Sequence, residues 1–221
     1  MFLKIWLDYY SRYFDSLHVF TGTYNANPPD QFAELHQKYN FELINLPLEV
    51  YSEDMHKVVF GKQRELLLNN EWVLYSDADE IIVADPRKYD GLRHFVDVSR
   101  EAQTFCEGYD VYQGDDENPI LYDQPILQQR KWWCKDATKS YNKPALSRVP
   151  TDWELGFHSI RGTSAGEMSE IKDTGLYLMH LKFMDLAAKV DYPRHTTGTH
   201  CGMELFKENG QLIPEKIRRI F

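Results

Sequence analysis

The chain has 221 residues, of which 43% are hydrophobic and 27% charged, and its formal net charge at pH 7 is −9. This composition is ordinary for a globular protein with one sizeable core, so we interpret residues 1–221 as a single domain. The acidic balance argues against a nucleic-acid-binding surface, which requires a basic stripe, but it is compatible with a local cationic pocket for a phosphorylated ligand.

The first half of the chain predicts alternating helices and strands. The spacing of apolar residues predicts a helix over residues 2–14 and then a strand over 17–21. The pattern continues with a helix near 30–39, a strand over 41–46, a helix from Ser52 to Asn69 and a strand within 70–76. This order predicts an α/β fold with a mostly parallel central sheet flanked by helices.

The second half has a less regular pattern. It predicts a helix near 88–99, a strand over 104–113 and short strands and loops between 120 and 180. Another apolar strand is predicted over 174–181, followed by a helix near 182–192.

The cysteines and the N-terminus bear on localisation. Cys106, Cys134 and Cys201 are widely spaced and form no C-x-x-C pair, which favours a reducing compartment. Residues 1–8 are apolar but carry charge at two positions, so they are too short and too mixed for a signal peptide or a membrane span. We therefore expect a cytoplasmic protein, and peripheral contact with a membrane stays open.

Three carboxylates follow the apolar run 70–76 within four residues: Asp77, Asp79 and Glu80. Like charges beside hydrophobic strands are costly unless a cation or hydrogen-bond donors offset them. In an extended segment Asp77 and Asp79 point the same way, so they are candidate ligands for Mg²⁺ or Mn²⁺, while Glu80 faces away and supports them. The alternative is that these carboxylates cap a turn and pair with nearby lysines.

The segment from residue 71 through the Asp-Ala-Asp-Glu run to residue 82 resembles the signature of GT-A-fold, family-2-like glycosyltransferases. Weaker matches extend the resemblance over most of the chain, at residues 6–10, 61–66, 153–158 and 178–181. The resemblance implies a GT-A-like (Rossmann-like) domain, with a nucleotide-sugar-binding half over 1–100 and an acceptor-side half over 101–221. Such enzymes begin with a strand ahead of the helix that matches 2–14, and this strand is missing here.

The resemblance further implies a sugar transferase that uses a nucleotide-diphosphate sugar donor, a divalent metal (Mn²⁺ or Mg²⁺) and a glycan or lipid-linked glycan acceptor. A divalent cation neutralises the charge that develops on the leaving nucleoside diphosphate. The family pattern places Asp79 directly on the metal, and Asp77 on the ribose or on the metal through water. His180 is a candidate third ligand; the alternative is a core histidine bonded to a backbone carbonyl.

The predicted donor contacts are Lys62 with Gln63 beside it, and Lys143 on the diphosphate. Lys143 belongs to a locally basic stretch with Lys131, Lys135 and Lys139, although solvated lysines are the common alternative. Nucleoside contacts are predicted in the loop after Phe20, from Thr21, Thr23 and Asn25.

The predicted acceptor side lies in residues 152–158. An inverting transferase needs a general base, and Asp152 and Glu154 are the candidates by their order along the chain; a retaining enzyme needs neither. Trp153 is predicted to stack on a sugar, and His158 to face the acceptor or the metal. Either carboxylate could equally be a surface residue.

Two other functions compete with the transferase. One is a nucleotidyltransferase, which also uses paired aspartates but carries a glycine-rich, basic phosphate loop that is not visible in this sequence. The other is a catalytically impaired nucleotide-sugar or glycan-binding module derived from such a transferase.

Overall fold

The computed structural model describes residues 2–22, 30–46, 52–114, 117–130, 132–135, 142–161 and 174–185, and the backbone of two short strands at 207–208 and 211–212. In the N-terminal part the elements are α1 (Phe2–Tyr10), β1 (Leu17–Gly22), α2 (Asp30–Lys38), β2 (Phe41–Leu46), α3 (Glu53–Leu66), β3 (Val73–Leu74), β4 (Glu80–Ala84) and α4 (Leu92–Val98). They are followed by β5 (Gln103–Tyr112), a 3₁₀ turn (Ile126–Gln128), β6 (Trp132–Lys135), β7 (Lys143–Ser147), β8 (Leu176–Phe183), β9 (Lys207–Glu208) and β10 (Gln211–Leu212).

The fold is mixed α/β, as the sequence predicts at that level. β1 and β2 pair in parallel in a two-stranded sheet, and β9 pairs with β10. The main sheet has the order β3-β7-β5-β8-β4, with β6 also paired to β5. Within it, only the β5–β8 pair is parallel among the described residues, and the other pairs are antiparallel. The expectation of a mostly parallel sheet is therefore not confirmed.

The main sheet curls around its long central strand, β5. Residues 103–106 of β5 pair with β7, while residues 107–112 pair with β8, and a register shift separates Thr104 from Phe105. A bulge of this kind bends a strand and increases its twist. β3 and β4 lie at opposite ends of the strand order, yet only residues 75–79 connect them. The curl thus brings the two ends of the sheet to one acidic turn.

The acidic turn differs from the extended segment that the sequence predicted. The Glu80 amide donates to the Asp77 carbonyl at 3.1 Å, and residues 78–79 form the turn between them. The predicted common direction of Asp77 and Asp79 is therefore wrong, because a turn does not alternate its side chains as a strand does. The strand predicted within 70–76 is also short, covering Val73–Leu74 alone, and it lies at a sheet end rather than at the centre.

Other elements match their predicted positions with shifted ends. The predicted helix 2–14 ends at Tyr10, and the helix near 88–99 begins at Leu92 after Gly91, whose φ of 124° suits glycine. The side chain of Ser52 accepts from the Met55 amide at 3.2 Å and caps α3 as expected. The helix predicted near 182–192 is wrong at its start, because β8 continues to Phe183; residues 186–192 lie outside the described part.

The core fills the space between α1, α4 and the curled sheet. Buried apolar side chains from α1 (Ile5, Leu7), β4 (Ile81, Ile82, Val83) and β8 (Leu176, Leu178, Leu181) pack in one cluster. A second, smaller cluster contains Met55, Val59, Trp153 and Phe157, with Phe20 and Tyr75 against it. None of the described α-helices combines the length and the apolar character that crossing a lipid bilayer would require.

Two buried tyrosines attach α1 to β4. The Tyr10 hydroxyl accepts from the Ile82 amide at 2.9 Å, and the Tyr9 hydroxyl donates to the Ile82 carbonyl at 2.8 Å. The peptide groups at Ile82 thus bond to helix side chains on both sides of that residue, which fixes α1 against the strand that follows the acidic turn.

We expect Tyr10→Phe to lower the free energy of unfolding by about 1–3 kcal/mol, because it leaves a buried backbone N–H without its acceptor. Tyr9→Phe should cost less, since a carbonyl has two lone pairs and the β4–β8 ladder is available to it. Urea unfolding of both variants measures the difference; equal losses would contradict this account of Tyr10.

Candidate functional site

The centre of the candidate site is a buried lysine that holds two carboxylates of the acidic turn. Lys143 of β7 is fully buried, and its Nζ lies 2.7 Å from Glu80 Oε1 and 3.0 Å from Asp77 Oδ2. Glu80 is also buried, and its second oxygen accepts from the Asp77 amide at 2.9 Å. The cation that offsets these charges is thus an ammonium group of the chain itself.

Burial and pairing act in opposite directions on this lysine. Burial lowers the pKa of Lys143, but the charges of Glu80 and Asp77 outweigh it, and the pKa lies above its usual value. The pKa of Glu80 is raised, mainly by burial, although Lys143 opposes the increase. Lys143 therefore stays charged at neutral pH. The structure places this residue, predicted to contact the diphosphate, under the turn, with Asp77 and Glu80 as its partners.

A second charged group joins the other aspartate of the turn to the sheet. His180 of β8 lies between two carboxylates, with Nδ1 at 2.7 Å from Asp110 Oδ1 and Nε2 at 3.3 Å from Asp79 Oδ2. Burial lowers the pKa of His180, but its contacts with Asp110 and Asp79 raise it to about 9. The backbone supports this pairing, because the Leu181 amide donates to the Asp79 carbonyl at 2.7 Å.

The predicted metal ligands divide into two groups. Asp79 and His180 face each other, whereas Asp77 faces Lys143 and receives a hydrogen bond from the Tyr75 hydroxyl at 3.0 Å. Among the residues that the structure describes, no three His, Cys, Asp or Glu side chains converge as a metal-binding group. The three-ligand set of the sequence analysis is thus reduced to a pair.

That pair nevertheless fits a divalent ion in its donor chemistry. A carboxylate and an imidazole suit Mn²⁺ or Mg²⁺ when oxygen atoms of a ligand and water complete the coordination. A metal-bound histidine commonly donates its other ring N–H to a carboxylate, and Asp110 holds Nδ1 of His180 in that way. Asp79 and His180 would therefore hold the metal, once the imidazolium has lost a proton.

A cleft of about 650 Å³ lies next to the turn. Its lining includes Gly22 of β1, Lys62 of α3, and Asp77 with Ala78 of the turn. Lys62 is paired with Glu42 at 2.9 Å and with Glu65 at 3.0 Å. These contacts raise the pKa of Lys62 and place its charge on the cleft wall, in agreement with a donor-side position.

Gln63, the second predicted donor contact, has a structural position. Its side chain is buried; Nε2 donates to Ser147 Oγ at 2.9 Å, and Oε1 accepts from the Thr151 amide at 2.8 Å. Both ends of the amide are therefore engaged in joining α3 to β7 and the loop after it. The contact predicted for Gln63 with the donor is not supported by this arrangement.

The predicted acceptor residues are separated by the alternation of an extended segment. Trp153 pairs with Ile160 across a small hairpin; its ring is 1% exposed, and Nε1 donates to the Pro144 carbonyl at 3.1 Å. Asp152 and Glu154, its neighbours, point outward and are exposed. A ring with this burial has no open face for a sugar, so the stacking predicted for Trp153 is wrong for this conformation.

Neither predicted base lies on the cleft lining. Asp152 Oδ1 is 3.5 Å from Nε of Arg161, and Glu154 Oε2 accepts from Ser159 Oγ at 2.6 Å. The position of both carboxylates is that of surface residues, which was the alternative reading. His158 packs beside Gly156, where an added Cβ would meet its ring at 3.2 Å, and it also does not line the cleft.

Sequence reasoning missed two residues of the site, Asp110 and Tyr75. Asp110 is a carboxylate within the buried strand β5, a position at which a charged group needs a partner, and this was an available signal. Tyr75 stacks on Phe157 with ring centroids 4.4 Å apart while its hydroxyl holds Asp77. Phe157 has a φ of 63°, a left-handed conformation that local sequence does not predict for phenylalanine.

The remaining predicted contacts lie away from the cleft or outside the described residues. Thr21 donates to the Asn45 side chain at 3.0 Å, and Lys135 pairs with Glu107. Thr23, Asn25, Lys131 and Lys139 lie outside the described part.

Comparison with protein-family models, with curated proteins and with solved structures finds no match for this chain.

The raised pKa of His180 predicts a pH dependence of stability in the metal-free protein. A folded-state pKa of about 9 against an ordinary 6.5 stabilises the fold fully below pH 6.5, and this stabilisation is lost as the pH rises through 9. The shift corresponds to at most about 3 kcal/mol.

Unfolding of the wild-type protein and His180→Gln, measured in EDTA between pH 6 and pH 10, tests this. The difference between the two proteins should narrow as the pH rises. A constant difference across the range would contradict a protonated His180 at neutral pH.

Removal of the buried ammonium should be costly. We expect Lys143→Met to lower the free energy of unfolding at pH 7 by about 3–5 kcal/mol, because Glu80 is left buried beside Asp77 with no cation. Acidification should restore part of the loss by protonating Glu80. Lys57→Met is the matched control, since Lys57 forms an exposed pair with Asp54 on α3 and should cost less than about 1 kcal/mol. Equal effects of the two substitutions in urea unfolding would overturn the role given to Lys143.

Proposed function

We propose that this protein is a metal-dependent glycosyltransferase with a GT-A-like fold, which moves a sugar from a nucleotide-diphosphate sugar to a hydroxyl group of a glycan or similar acceptor. The observation that carries the proposal is the arrangement of Asp110, His180 and Asp79 beside the turn whose Asp77 borders the cleft. The resemblance of residues 71–82 to the acidic signature of such enzymes supports the same function.

The residues of the chain divide the work of the proposed site. Asp110 holds Nδ1 of His180, so that Nε2 is directed to Asp79. Lys143 and Tyr75 both contact the Asp77 carboxylate and fix its position at the end of the cleft. When bound, a divalent metal supplies positive charge against the diphosphate leaving group. Rigid placement of these groups is the contribution that the protein makes to the reaction.

Lys62 gives the donor side a further cationic group. It lies on the wall of the cleft, where its partners Glu42 and Glu65 fix its position. A phosphate that enters the cleft could replace one of these carboxylates as a partner of Lys62. The proposal does not depend on Asp152 or Glu154, because neither lines the cleft.

A second function is favoured by one observation. Lys143 and the His180 imidazolium neutralise the carboxylates of the turn without a metal. This arrangement suits a module that binds a nucleotide sugar without metal and without turnover, the impaired derivative considered from the sequence.

Calorimetric titration with UDP-, GDP- and dTDP-sugars, with and without Mn²⁺, separates these functions. Metal-dependent donor binding with slow release of nucleoside diphosphate supports the transferase. Donor binding that is unaffected by EDTA and shows no turnover across an acceptor panel supports the module. Release of inorganic pyrophosphate from a nucleoside triphosphate and a sugar phosphate would instead indicate a nucleotidyltransferase, and no binding of any nucleotide overturns all three.

We expect Asp79→Asn to abolish the metal-dependent part of donor binding, since it removes one of two protein ligands, while the far-UV circular dichroism stays that of the wild-type protein. Asp54→Asn, on the exposed face of α3, is the control and should bind as wild type. Unchanged Mn²⁺-dependent affinity in Asp79→Asn would remove this residue from the metal site.

A further inference from the structure

Two strand edges face each other without pairing in this fold. Of the residues that the structure describes, β1 pairs with β2 alone and β3 pairs with β7 alone. The Tyr75 amide, just after β3, also bonds toward β7, to the Ala145 carbonyl at 2.7 Å. The backbone edge of β1 opposite β2 and that of β3 opposite β7 are therefore both open to another strand.

The cleft separates these two edges. Its lining contains consecutive residues of β1, from Leu17 to Phe20, and consecutive residues of the β3 segment, from Trp72 to Tyr75. Side chains of neighbouring residues point to opposite faces of a strand, so a cavity beside one face would be lined by alternate residues only. A cavity that meets every residue lies against the edge of each strand.

Helices cover this gap on both faces. Leu17 and Val19 of β1 pack in the main core with α1, whereas Phe20 packs in the second cluster with Met55 and Val59 of α3. The same division occurs across the gap, where Leu74 belongs to the main core and Tyr75 to the second cluster. Since odd and even positions of a strand face opposite ways, α1 and α3 lie on opposite faces.

We propose that the gap between residues 17–20 and 72–75, the strand slot, accepts one further β-strand, which bonds to β1 on one side and to β3 on the other. With it, the sheet runs without interruption from β2 through β1 and β3 to β7. Only an extended polypeptide presents N–H and C=O groups at the spacing of both edges. Strand spacing then requires β1 and β3 to lie about 10 Å apart.

The surroundings define the chemistry of the inserted strand. A strand covered by helices on both faces has an apolar run, rich in Val, Ile and Leu, without polar alternation. Apolar side chains of α1, α3 and α4 line the slot, among them Leu3, Val59 and Val96. A strand of about five or six residues is the usual length for such a position. This inference is independent of the proposed function.

The test uses the full chain with a Val-Ile-Val-Ile-Val segment joined ahead of Met1 through a Gly/Ser linker, which keeps the segment at high local concentration. The control fusion carries a Gly/Ser segment of the same length. Hydrogen exchange is measured for the amides of 17–20 and 73–74, with those of β5, which is paired on both sides, as the internal reference.

The expected result is that exchange at 17–20 and 73–74 slows roughly tenfold or more in the Val/Ile fusion relative to the control, with a higher midpoint of thermal unfolding and no change at β5. Equal exchange in the two fusions overturns the proposal. So does slow exchange at both edges in the control fusion, since it would mean that the edges are already paired. A dimer of the original chain in light scattering, with these same amides protected, would assign the slot to a second copy instead.

Discussion

The rest of the structure depends on one buried ammonium group. Lys143 is at the point where β7, the acidic turn and the centre of the sheet meet, and its charge permits Glu80 to be buried at the start of β4. Without that charge, the turn between β3 and β4 would carry like charges into the core, and the curl of the sheet that depends on this turn would be opposed. The lysine therefore acts on architecture first. Its effect on the candidate site follows from the position it gives to Asp77.

Local patterns predicted the elements well and their pairing poorly. The helix after Ser52 and the strand that became β5 follow from capping and from apolar periodicity, which act over a few residues. The direction of each strand in the sheet depends on connections that residues 120–180 make, and short strands in that stretch carry no local signal of direction. The alternation of helices and strands in the first half therefore suggested a parallel sheet, while β3, β4, β6 and β7 pair in antiparallel fashion with their neighbours.

The candidate site shows the same division. The sequence identified the turn, His180 and Lys143, because each is a charged residue next to an apolar run. It could not assign partners, since Lys143 and Asp77 are 66 positions apart and Asp110 and His180 are 70 apart. The reading of residues 152–158 failed for a related reason. Trp153 and its two acidic neighbours alternate in direction, and which direction faces inward is decided by packing on Tyr75 and Phe157, far away in the chain.

The long separations within the site have a consequence for how the protein folds. Contacts between residues this far apart form only after large loops close, which slows folding and delays the regions that depend on such contacts. Residues 77–80 leave the ribosome long before Lys143 and longer still before His180, so the turn stays solvated until β7 and then β8 dock. The charged site is thus a late product of folding, and a chain arrested before β8 would hold Asp79 and Asp110 without the imidazole that joins them.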